Sequence, residues 1–197
     1  MAVAAGASYL GVVFAGGPRV LSPAQARDVV AAASARPVFG VFGSQSLDEI
    51  LRIRDASGIV GAQLHGDYAV SAASRLRRNG LAVWRVVRLA GSEELESVTR
   101  AREESDGVLV EARVAFAMGG AGVPLSLEVA REARTRLGDH PMILAGGLTP
   151  ESVAEAIRVA RPDAVDVSSG VEQIPGIKDH RRIARFVEAT VGHRAPG

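Results

Sequence analysis

Two stretches near the end of the chain have the residue types that grip a phosphate. They are Leu144-Ala145-Gly146-Gly147-Leu148-Thr149-Pro150-Glu151 and Val165-Asp166-Val167-Ser168-Ser169-Gly170-Val171-Glu172. Each follows a short apolar run, Met142 to Leu144 and Ala164 to Val167, and the first leads into a helical pattern. Strand-to-helix turns rich in Gly and Ser offer backbone N–H groups and hydroxyls to a dianion. Taken singly, each glycine is equally explained as a turn residue with positive φ. Two such turns in succession favour a phosphate cradle, with Gly146, Gly147, Ser168, Ser169 and Gly170 as its fixed donors. A third glycine-rich stretch, Gly119-Gly120-Ala121-Gly122, lies in a long loop from Ala112 to Pro124, and Gly120, Ala121 and Gly122 could close over the same group. The titratable residues at strand ends are Glu111, His65, Arg85 and Asp166. Asp166 shares parity with Ser168, so it either lines a sugar site or is an inward structural carboxylate. The four histidines are far apart and lack spaced acidic partners, so they make no metal-ligand pattern.

Composition narrows the field. The 197 residues suffice for one sizeable core, and the sequence is expected to form one domain over residues 1–197. Charged residues balance to a net charge of +1, which argues against a dedicated nucleic-acid or membrane-surface protein. No apolar run reaches the length of a membrane span, and no secretory signal is visible. A cytoplasmic protein is the expectation. There is no cysteine, and hence no disulfide, thiolate metal site or cysteine nucleophile within these residues.

The elements that must position the site alternate. Apolar runs of strand length occur at Tyr9–Phe14, Pro37–Phe42, Ile59–Leu64, Leu81–Val86, Gly107–Glu111, Met142–Ala145 and Ala164–Val167. Helical patterns follow them, the first opened by Ser22-Pro23 as N-cap and N1. Seven strand-plus-helix units succeed one another without a hairpin signal, which predicts a parallel sheet with right-handed crossovers. Their regular spacing favours a barrel over a doubly wound sheet. In such a barrel the phosphate site lies in the loops after the last two strands, where the glycine turns are. The opening residues Met1 to Ala7 read instead as the last turns of a helix with a glycine stop. The expectation is a barrel whose first strand and most of whose first helix are missing, leaving a seam with two unpaired edges.

In this order the motifs resemble those of phosphoribosylanthranilate isomerases. The resemblance rests on Val60-Gly61-Ala62-Gln63-Leu64-His65-Gly66, Gly119-Gly120-Ala121-Gly122, the two glycine turns and Gly176-Ile177-Lys178-Asp179. Near the start it rests on Gly6-Ala7, Leu10–Phe14 and Pro18-Arg19-Val20-Leu21-Ser22. It implies a TIM-type (βα)8 barrel of tryptophan biosynthesis, N-terminally truncated so that seven parallel strands are visible. It also implies an Amadori rearrangement of an aminoaldose to an aminoketose without metal or organic cofactor. The partner implied is a small phosphorylated substrate, with no nucleic acid and no membrane. The chain is expected to be a monomer at full length and a possible dimer through the open seam if truly truncated.

The resemblance further implies roles. Glu111 stands where the family carries its general-acid aspartate, one methylene longer, and partial burial there would favour its protonated form. A solvated strand-end carboxylate is the alternative. Arg19 matches the arginine that grips the anthranilate carboxylate, for which a guanidinium fork is suited. Gln63 and His65 line the mouth, and Arg85 stands where the family has a strand lysine, or is a charge in solvent. The family's general base is a cysteine in a K-x-C-G segment on its first strand, and no such segment is present, so turnover is expected to be impaired. Two other readings remain: an isomerase of another phosphosugar, and a non-catalytic phosphate-binding relic.

Overall fold

The computed structural model describes residues 1–113 and 124–191; Gly120, Ala121 and Gly122 of the third glycine stretch lie outside the described residues. Seven strands run in parallel in chain order: β1 (Leu10–Val13), β2 (Val38–Phe42), β3 (Gly61–Leu64), β4 (Ala82–Leu89), β5 (Gly107–Ala112), β6 (Met142–Leu144) and β7 (Ala164–Val165). Helices α2 (Pro23–Ala32), α3 (Leu47–Ser57), α4 (Ser71–Arg78), α5 (Glu96–Glu103), α6 (Leu127–Leu137) and α7 (Val153–Ala160) form the crossovers. A further helix, α8 (His180–Val191), follows β7. Local chemistry explains the starts. Ser22 and Ser46 each close a capping box with the residue three further on, Gln25 and Glu49, satisfying N–H groups the helix itself leaves free.

Strand parity sorts the side chains into two layers. Val83, Val87 and Leu89 of β4 and Val108 and Val110 of β5 pack outward against the helices. Trp84 and Val86 of β4, Leu109 of β5, Ile143 and Ala145 of the β6 segment, and Ala164 of β7 pack on the inner face. At the end where the strands begin, Phe39 stacks on Trp84 at 4.1 Å and Tyr9 meets both rings edge-on. Gly61 makes room for that stack, since a Cβ there would come within 2.2 Å of the Phe39 ring.

The first residues form α1 (Ala2–Ala5), closed by Gly6 in the left-handed conformation at φ 103°, the helix end with a glycine stop that the opening pattern predicts. This short helix packs on α8. The outer edges of β1 and β7 have no partner strand among the described residues. Two details depart from the sequence pattern. A small antiparallel hairpin, β8 (Glu172–Ile174) with β9 (Ile177–Lys178), follows β7 where no hairpin signal is visible. Strand β4 runs three residues past the expected Val86, because its alternation continues through Arg88. No helix of the described residues is long and apolar enough to cross a membrane.

Candidate active site

The C-terminal ends of the strands bring a row of polar side chains to the inner face. Arg88 of β4 stands in register with Glu111 of β5. One step past the paired residues Leu144 and Val165, Ala145 and Asp166 continue the row. Leu109, Ile143 and Ala164 are the inward residues one layer below, so Glu111, Ala145 and Asp166 share their direction. Glu111 is 6% exposed, and Arg88 Nε donates to its Oε1 at 2.8 Å. Arg88 Nη2 lies 3.1 Å from His65 Nδ1, and His65 Nδ1 lies 3.7 Å from the same Glu111 oxygen. A guanidinium has only donors, so Nδ1 accepts and the neutral imidazole keeps its proton on Nε2. Burial pushes the His65 imidazole below its ordinary value and Arg88 adds to that, while the Glu111 charge opposes it. Glu111 is therefore buried, with the Arg88 guanidinium on one side and a neutral imidazole beside it.

Asp166 differs. Burial pushes its carboxyl up and the negative charge of Glu111 pushes it further, against Lys178 and the Val167 amide, which favour the ionised form. Two carboxyl groups of one inner row thus sit in unlike surroundings, Glu111 against the Arg88 guanidinium and Asp166 near Lys178. Gly146 lies directly against Glu111. Its φ is 86°, and a Cβ there would lie 3.2 Å from the Glu111 Cβ.

The two glycine turns are pressed together. A Cβ on Gly170 would fall 1.9 Å from the Leu148 carbonyl oxygen, so only glycine allows the approach. Gly147 has φ 66°, and Ser169-Gly170-Val171 form a 3-10 turn after Ser168. Lys178 Nζ donates to the Ser168 carbonyl at 2.9 Å and lies 3.3 Å from its Oγ. Beside the turns a cavity of about 290 Å³ is lined by Thr149, Pro150, Glu151, Gly170, Arg182 and Arg185.

Arg19, in the loop after β1, is held by Glu172 at the start of β8. Its Nε and Nη2 donate to the two carboxylate oxygens at 2.8 and 2.7 Å. Gln63 is buried on the inner parity of β3, two residues before His65. Arg85 stands apart from the site. It shares the outward parity of Val83 and Val87, and its Nη2 lies 3.8 Å from Glu104 at the end of α5. The residue that β4 turns toward Glu111 is Arg88, three positions on and so on the opposite face. The structure thus gathers Glu111, His65 and Asp166, joins Arg19 to the β8–β9 hairpin, and places Arg85 among the helices. Sequence reasoning missed Arg88, Glu172 and Lys178 as members. Parity with Trp84 and Val86 was the available signal for Arg88, while Glu172 and Lys178 stood within quoted motifs but without any sign of what they would contact.

Comparison with known proteins agrees with this layout. The family model described as N-(5'-phosphoribosyl)anthranilate (PRA) isomerase matches residues 1–189. The N-(5'-phosphoribosyl)anthranilate isomerase of Moorella thermoacetica is 39% identical, over 96% of this chain and 82% of that protein. The enzyme of that name from a Roseiflexus species is 38% identical, over 95% of this chain and 89% of its own. Among solved structures, phosphoribosyl anthranilate isomerase from Thermotoga maritima superposes with a TM-score of 0.87 at 30% identity, over 97% of this chain and 91% of that one. Another was solved with reduced 1-(o-carboxyphenylamino)-1-deoxyribulose 5-phosphate and superposes at 0.84, at 30% identity and with the same coverage. Dimeric forms are known among these structures.

Proposed function

The chain belongs to the N-(5'-phosphoribosyl)anthranilate isomerase family, and from that premise we propose how its own residues divide the work. The reaction turns a ribosylamine into a ketose in two proton movements. A proton reaches the ribose ring oxygen as the C1–O bond breaks, and the anthranilate nitrogen lone pair forms the C1–N double bond. The C2 proton then leaves, giving an enolamine that tautomerises to the ketone. Glu111 and Asp166 serve the ring-oxygen end. Glu111 acts at the reacting sugar, and Arg88 holds its carboxylate at a fixed angle. Asp166, whose surroundings favour the proton, faces the same space. Gly146, Gly147, Ser168, Ser169 and Gly170 cradle the phosphate. Arg19 receives the anthranilate carboxylate, and Gln63 and His65 line the wall between. Arg85, on the helix side, contributes to stability instead.

The observation that carries this reading is the Arg88–Glu111–Asp166 row beside the paired glycine turns, in a chain matched to the family over residues 1–189. No residue of the 197 supplies the family's cysteine base. Residues 1–197 by themselves therefore bind substrate but turn it over poorly, and a K-x-C-G strand seated beside β1 restores the rate. Where no strand fills that place, the edges of β1 and β7 favour a dimer. A sedimenting monomer with little binding of a hydrophobic dye speaks against it. Calorimetry with the reduced carboxyphenylamino-deoxyribulose phosphate is the decisive measurement. No heat of binding, even for a chain extended upstream of Met1, overturns the assignment. A preference for another phosphosugar instead favours a different isomerase.

A further inference from the structure

Arg19 and Glu172 lie 153 residues apart, yet their fork is one of the most fully connected polar contacts of the described residues. Glu172 is 5% exposed. Its backbone carbonyl accepts from Arg182 Nη1 at 2.7 Å, and its Oε1 also accepts from Lys178 Nζ at 2.9 Å. Arg182 in turn belongs to the first turn of α8, where Asp179 accepts from the Arg181 and Arg182 amides. The carboxylate is thus anchored to a helix and a hairpin. Arg19 sits in a turn after Gly16 and Gly17, at φ 99° and 87°, and its backbone is followed by a single bridge of Val20 to Val13. Among the described residues its side chain has no hydrogen-bond partner besides Glu172. Glu172 is what holds the guanidinium in place.

The geometry leaves a vacancy of a definite kind. Glu172 occupies the Nε–Nη2 edge of the guanidinium, and among the described residues no hydrogen bond engages Nη1. The side chain of Arg19 keeps 21% of its exposure, whereas that of Glu172 keeps 4%. One carboxylate also faces two cations, Arg19 and Lys178, so the cluster retains a positive charge for an incoming anion. An arginine fixed by one edge offers the other at little further entropic cost, while a free one must first be ordered.

We propose that Glu172 is the positioning residue for Arg19, holding one edge of its guanidinium so that the remaining edge receives the carboxylate of the substrate's aromatic ring. This rests on the reading of Arg19 as the carboxylate subsite. Glu172 thereby sets selectivity for a carboxylate-bearing aminosugar phosphate without touching the ligand. The ion pair also joins the loop after β1 to the hairpin after β7, and the outer edges of those two strands have no partner strand among the described residues. A purely structural role of that kind makes a different forecast.

The test is calorimetry on the full chain with two ligands: the reduced carboxyphenylamino-deoxyribulose phosphate and its phenylamino counterpart lacking the carboxylate. The unsubstituted chain is expected to prefer the first. Glu172→Gln keeps the size of the side chain and is expected to weaken the first ligand about tenfold, the scale of one charge-assisted contact. Affinity for the second stays within about twofold, which also reports an intact fold. Arg19→Lys keeps the charge and loses the fork, so it shows the same selective loss, and the double variant loses little more. Equal weakening of both ligands makes the pair a seam staple and overturns the proposal. So does unchanged affinity, and so does a gain for the first ligand, which would mean that Glu172 competes for Arg19. If the unsubstituted chain binds both ligands equally, the carboxylate role of Arg19 itself falls, and this inference with it.

Discussion

The two sides of the sheet place their polar groups by different means. Strands β3, β5 and β6 are buried almost throughout, β4 alternates between buried and partly buried residues, and β4 pairs with β5 along all of Trp84–Leu89 and Gly107–Ala112. There the backbone ladder sets Arg88 opposite Glu111, and the side chains need only reach across one strand spacing. At the seam, β7 is two residues long and half-buried, and β1 has one fully buried residue. No ladder joins these edges among the described residues. What crosses the gap is side-chain chemistry, Arg19 with Glu172, and the packing of α1 on α8. A continuous sheet delivers chemical groups with fixed geometry. An interrupted one must recover that geometry with ion pairs, which are weaker and depend on solvent conditions.

The largest effect is expected where the wall does chemistry. Glu111→Gln, in a chain that carries the cysteine-bearing strand, is expected to lower kcat by about 10²–10⁴-fold with affinity nearly unchanged. Steady-state kinetics beside ligand calorimetry reads this. Comparable losses in both quantities would make Glu111 a binding residue and erase the contrast with Glu172.

Stability sharpens the comparison next. Leu109→Ala on β5, where the side chain is 1% exposed, is expected to cost about 2–5 kcal/mol by denaturant titration. Val165→Ala on half-buried β7 is expected to cost about 1 kcal/mol. Similar costs at the two sites would mean that the seam is as firmly packed as the wall.

A smaller effect lies on the acid side. Hydrogen bonds from Arg19 hold the Glu172 carboxyl down at about 2, against an ordinary 4.5, with Lys178 helping. The folded form thus favours the ionised group, and the stability it confers is complete above about pH 4.5 and lost as pH falls toward 2. With solvent screening at the barrel mouth this amounts to about 1 kcal/mol. Glu172→Gln is expected to flatten that window in urea titrations at successive pH values, and an unchanged slope would deny the pair any net worth. The least effect belongs to His65. Burial favours its neutral form, so protonation on acidification through its ordinary value of 6.5 works against the fold. His65→Asn is expected to remove that part of the pH dependence.

Much of the wall was legible. Apolar runs of strand length alternating with helical patterns predict the parallel order, and Ser22-Pro23 marks a true helix start. Gly146 and Gly170 occupy positions that only glycine tolerates, one for its positive φ and one for a backbone approach. The end of β4 was not legible, because Arg88 interrupts the apolar pattern while the pleat continues beneath it. Arg85, singled out by its match to a strand lysine of the family, faces the helices, while Arg88 beyond the expected strand end faces Glu111. The β8–β9 hairpin escaped because strands of three and two residues are too short to show a period.

Capping, pleat parity and positive φ are properties of neighbouring residues, so the seven parallel strands, the helices between them and the turn glycines are written locally, short of the end of β4 and the β8–β9 hairpin. Tertiary structure alone decided which charges became partners. Arg88 takes Glu111 from 23 positions away and Arg19 takes Glu172 from 153, while Arg85 is turned toward Glu104. An ion pair is chosen by a few ångströms of space between side chains, and separation along the chain carries no record of that distance.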